Sequence, residues 1–132
     1  MNLNPIDRRV YERFRMNPGY TQVEARIHPD ESYSLAGHIY DLSESGVCFE
    51  LDHPIEPGST ISLKIELPVH IIESQQDVGP GRAVFVTGNV VWCDTEEPGA
   101  ARMAVALTRY DRAGDRERLV KALSSGRYLR AA

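Results

Sequence analysis

Asp41, Ser43 and Gly46 fall within six residues, Asp41-Leu42-Ser43-Glu44-Ser45-Gly46, at the spacing D-x-S-x-x-G. Each type has a use beside a nucleotide. A carboxylate accepts from the N1–H and N2–H edge of a guanine, and a hydroxyl can donate to a phosphate oxygen. A glycine lets backbone approach a ligand closely. The same three types also build an ordinary β-turn. Upstream lies Asp7-Arg8-Arg9-Val10-Tyr11-Glu12-Arg13, with R-x-x-x-R at Arg9 and Arg13 and Arg8 in front. Guanidinium forks pair bidentately with phosphate oxygens and match guanine O6 and N7. At this spacing Arg9 and Arg13 share one side whether the segment is helical or extended. The spacing alone is weak, since R-x-x-x-R recurs at Arg112 and Arg116.

The elements that must position these groups are strands. Alternation of apolar and polar residues predicts strands over 20–28, 34–40, 47–51, 61–67, 83–93 and 102–109. The D-x-S-x-x-G segment is then the connection between the second and third. Gly88 marks a bulge or bend in the long fifth strand. Residues 68–81 form a long connection. From Asp115 the period changes: Leu119, Val120 and Leu123 predict a helix over 115–126, with Asp115 as its cap and Gly126 as its stop. Six strand-like segments at short spacing, without βαβ alternation, predict an all-β antiparallel barrel or sandwich with one short C-terminal helix.

Composition narrows the function. The chain has 132 residues, one domain's length, and a net charge of −4. Any anion must therefore be held by a local concentration of arginine, and a nonspecific DNA or RNA binder is disfavoured. Residues 7–15 carry such a concentration within a polar arm, residues 1–19, that has no apolar face and is expected to be mobile without a ligand. Cys48 and Cys93 are far apart and lack metal spacing. His28, His38, His53 and His70 show no H-x-x-x-H pattern, and no nucleophile elbow or P-loop is present, so neither an enzyme nor a metal protein is expected. No stretch is apolar enough for a signal peptide or a membrane span, so a cytoplasmic chain without membrane insertion is expected.

On these residues the sequence resembles the PilZ family of bacterial cyclic di-GMP receptors. That family pairs an R-x-x-x-R arm with a [D/N]-x-S-x-x-G strand connection. The likeness extends through Gly46-Val47-Cys48-Phe49-Glu50-Leu51, the Pro57-Gly58 turn before Ile61-Ser62-Leu63-Lys64-Ile65, and Gly88-Asn89-Val90-Val91-Trp92. It implies a single domain over residues 1–132: a six-stranded antiparallel split barrel followed by a helix. It further implies no catalytic residue, no cofactor and no metal, with cyclic di-GMP as ligand. By resemblance Arg9 and Arg13 fill the first motif, and Asp41, Ser43 and Gly46 the second. Arg8 matches an arginine that accompanies a stacked pair of ligands in the family. Trp92 matches an aromatic found beside the ligand in some members; a core position is the other reading. The implied role is second-messenger signalling, in which the ligand changes the arm and surface seen by a partner protein. Family members that keep the fold as adaptors without nucleotide are the alternative. The last strand departs from the family's G-x-x-F, with Met103-Ala104-Val105-Ala106-Leu107 in its place.

Overall fold

The computed structural model describes residues 14–15, 21–67, 83–96, 100–124 and 129–130. Its strands are β1 (Phe14–Arg15), β2 (Gln22–Ile27), β3 (Leu35–Leu42), β4 (Gly46–Leu51), β5 (Thr60–Glu66), β6 (Ala83–Asp94), β7 (Ala101–Tyr110) and β8 (Leu129–Arg130). One helix, α1 (Asp115–Leu123), lies between β7 and β8. Antiparallel neighbours run β2-β5-β6-β7-β4-β3, and β2 pairs again with β3, closing a six-stranded barrel. Closure leaves those six strands without an exposed edge among themselves.

The six predicted strands are present, and alternation explains their burial. Val23 and Ala25 of β2, Ile61, Leu63 and Ile65 of β5, and Val47, Phe49 and Leu51 of β4 point inward and are buried. Met103, Val105 and Ala101 do the same from β7, so the departure from G-x-x-F is accommodated by a Met–Val core face. Leu119 and Leu123 of α1 join this core.

Two short strands were not anticipated. β1 pairs with the C-terminal end of β3, Phe14 opposite Leu42 and Arg15 opposite Asp41, and β8 pairs with β1. β2 meets the N-terminal half of the same strand, Gln22 opposite His38 through Ala25 opposite Leu35. Since β4 occupies the other edge, β1 and β2 lie end to end along one side of β3. Phe14, expected in a polar arm without apolar contacts, packs half-buried against the core.

The helix corrects a second expectation. Asp115 is not the cap; Gly114, at φ 88°, precedes the helix without any side-chain cap. Asp115 is the first helical residue and is fully buried. Its carboxylate accepts from Phe85 N at 2.8 Å, from Arg112 Nε at 3.0 Å and from Arg118 Nη2. Both arginines also donate to the Ala83 carbonyl. Burial by itself would push this carboxyl up. The hydrogen bonds from Arg112, Phe85 N–H and Arg118 outweigh that and hold it below its usual range. The result is a buried latch that docks α1 on β6. Where β5 pairs with β6, a second polar chain, buried at Ser62 and Thr87, links His28 to Ser62 at 2.8 Å, Ser62 to Thr87 at 2.7 Å and Thr87 to Asp111 at 2.9 Å.

Candidate functional site

The D-x-S-x-x-G segment is half strand. Strand β3 continues through Asp41 and Leu42, because Leu42 faces the core opposite Val47, so the connection itself is only 43–45. Ser43 N donates to the Gly46 carbonyl at 2.9 Å. The Ser43 hydroxyl oxygen accepts from the backbone N–H of Ser45 at 3.2 Å and of Gly46 at 3.1 Å. With 2% exposure, this side chain faces its own turn. A Cβ on Gly46 would stand 3.3 Å from the Val105 carbonyl, a tight contact that β7 would have to ease by a few tenths of an ångström. Tyr110 Oη donates to the Glu44 carbonyl at 2.7 Å, and Arg116 pairs with the Glu44 carboxylate at 3.1 Å. The turn is thereby tied to both β7 and α1.

Two register shifts shape the outer face beside this turn. In β3 the pairing steps from Ile39 opposite Phe49 to Asp41 opposite Cys48, leaving Tyr40 as an extra residue. In β6 it steps from Val90 opposite Val105 to Trp92 opposite Ala104, leaving Val91 extra. A bulge resets the inside–outside alternation, so two consecutive residues face outward. Asp41 consequently shares an outward row with Arg15 of β1, Cys48 of β4, Ala104 of β7 and Trp92 of β6. At the usual strand separation Asp41 and Trp92 are about 14 Å apart along the sheet. Only Cys48 and Ala104, both small, lie between them. Trp92 is 43% exposed and Val91 53%, so Trp92 is not a core residue.

The adjoining outward row runs His38, Glu50, Arg102 and Asp94. Here Tyr40 donates from its hydroxyl to Glu50 Oε1 at 2.8 Å, and its ring meets His38 edge-on at 5.4 Å between centroids. The Arg102 guanidinium lies over the Tyr40 ring, 4.1 Å from its centroid. The Tyr40 hydroxyl, and more weakly Glu50, raise Arg102 above its already high range despite some desolvation, so it stays cationic.

Of the residues singled out from sequence, Asp41 and Trp92 come onto one surface, while Ser43 and Gly46 form the turn at its edge. Arg8, Arg9 and Arg13 lie outside the described residues. Strand β1 begins at Phe14, directly after Arg13, and runs beside Asp41. Sequence reasoning missed Tyr40, Arg102 and both bulges. The available signal was a pair of polar residues, Tyr40-Asp41, breaking the alternation of an otherwise regular strand. Among the described residues no group of three His, Cys, Asp or Glu could hold a metal ion. None of their helices is long and apolar enough to cross a membrane.

A PilZ domain family model matches residues 7–125, and the chain belongs to the PilZ family. PilZ domains are receptor and adaptor domains rather than enzymes. The chain is similar in fold to the solved structure of the Bacillus subtilis inhibitor of motility (MotI/DgrA), at TM-score 0.61 and 18% identity. That match covers 86% of this chain and 48% of the other, so this chain spans about half the length of its structural neighbour. No curated protein matches the sequence.

Proposed function

We propose that this chain is a bacterial, cytoplasmic cyclic di-GMP receptor that signals by changing its N-terminal arm and surface for a partner protein, without catalysis. The observation that carries the reading is the register of β1. It brings Arg15, two residues after the R-x-x-x-R motif, opposite Asp41, on an outward row that ends at an exposed tryptophan. Two arginine forks would meet the phosphates and a guanine O6/N7 edge from the β1 side. Asp41 would accept from N1–H and N2–H, and Trp92 would stack a base. Ligand would neutralise Arg8, Arg9 and Arg13 and order the arm against the barrel. Amide exchange of residues 1–18 would then slow on adding cyclic di-GMP, and unchanged exchange at saturation would reject the switch.

A second reading, an adaptor that keeps the fold without nucleotide, is favoured by the Ser43 hydroxyl, which is engaged within its own turn. Calorimetric titration of cyclic di-GMP into wild type, Arg9→Ala, Arg13→Ala and Asp41→Ala separates the two. The receptor reading expects binding by wild type and a loss of at least ~1.5 kcal/mol per substitution, as for a lost charged hydrogen bond. Absence of heat with wild type would favour the adaptor.

A further inference from the structure

We propose that Arg102, seated on Tyr40, is a further ligand-binding residue, whose guanidinium plane stacks on a guanine base of the bound dinucleotide. This rests on the receptor reading above and adds to it a residue outside both motifs. Three observations converge on it.

The first is position. The bulge at Tyr40 turns this residue and Asp41 outward in succession, and the Arg102 guanidinium rests over the Tyr40 ring. A cation on β7 is thereby brought across β4 to the end of β3 that carries Asp41.

The second is preorganisation. Tyr40 is held by its hydrogen bond to Glu50 and by the His38 ring edge, so the platform under Arg102 is fixed from two sides. A guanidinium already resting on a ring loses less rotamer freedom on binding than a free one.

The third is availability. Arg109, Arg112, Arg116 and Arg118 each form a salt bridge with a carboxylate. Arg102 forms none among the described residues, is exposed, and has its Cζ over the Tyr40 ring, 4.1 Å from the centroid. Guanidinium planes stack on bases as well as on aromatic rings, so the opposite face suits a purine. Tyr40, Arg102 and the base would form a three-layer stack, with Asp41 at hand for the guanine edge.

The test is calorimetric titration of cyclic di-GMP into wild type, Arg102→Ala and Arg102→Lys, with thermal unfolding of each. Lysine keeps the charge but has no plane. Stacking predicts that both variants lose about tenfold in affinity. Arg102 is an exposed side chain with no salt bridge among the described residues, so both should unfold within about 2 °C of wild type. Full affinity in Arg102→Ala would overturn the proposal while leaving the receptor reading intact. Retained affinity in Arg102→Lys with loss in Arg102→Ala would overturn it in favour of a simple charge contact. Failure of wild type to bind would remove both this proposal and the reading beneath it.

Discussion

Replacing Asp115 with asparagine removes a charge from the most enclosed ion cluster of the described residues. The carboxylate is fully buried, and its side-chain partners Arg112 and Arg118 are 35% and 25% exposed. The asparagine side-chain carbonyl could still accept from Phe85 N, but its amide nitrogen would then face the arginine donors on the other oxygen, so the change removes the charge and one acceptor together. Removing one partner of a buried pair costs about 3–5 kcal/mol. The partial exposure of both arginines places this case at the lower end, about 3 kcal/mol, because each can recover some hydration. For a domain of this size that corresponds to a fall of about 10 °C in unfolding midpoint. Thermal unfolding followed by circular dichroism at neutral pH measures it. The sign with pH follows from the direction of the shift. A carboxyl held below its unfolded value of 3.8 contributes stability above that pH and loses it as pH falls through the folded value. The gap between wild type and Asp115→Asn should therefore be constant above about pH 5, begin to shrink below about pH 4, and close as pH falls through the lower folded value. A midpoint shift under about 3 °C, or a gap that persists in acid, would refute the latch as described.

Two other substitutions test the frame around the site. A Cβ at residue 37 would stand 1.8 Å from the Glu50 carbonyl oxygen, so Gly37→Ala must push β3 from β4. It should cost about 3 kcal/mol in urea unfolding, the upper end for overpacking, because the obstacle is backbone. Ser43→Ala strips the acceptor from two backbone N–H groups of the 43–46 turn. It should lower stability by about 1–2 kcal/mol in the same assay, and it should weaken cyclic di-GMP binding less than Asp41→Ala does.

Most of the barrel was legible because its strands bury one face. Alternation in residues such as Ile61, Leu63 and Ile65 reports that burial directly. What escaped were features without a period. A two-residue strand such as β1 holds too few positions to alternate, and its pairing with β3 depends on closure of the whole sheet. The bulges at Tyr40 and Val91 are single extra residues, detectable only against a partner strand. Asp115 illustrates a different limit. An aspartate at a helix start reads as a cap from local spacing, whereas its role is set by Phe85, thirty positions away, and by Arg112 and Arg118 folded back upon it. Ser43 was visible as a motif residue, but the direction of its hydroxyl was not. Trp92 could have been core or surface, and the bulge at Val91 decided for the surface.

The central claim is that cyclic di-GMP is held on the outward row from Arg15 through Asp41, Cys48 and Ala104 to Trp92. Nuclear magnetic resonance shift mapping with the unlabelled dinucleotide in excess addresses it residue by residue. The account predicts the largest changes at the amides of Asp41, Cys48 and Ala104 and at the Trp92 indole N–H, with Ser62 and Thr87, buried where β5 pairs with β6 and outside that row, unmoved. Changes centred on Ser62 and Thr87, or no changes at all, would contradict it.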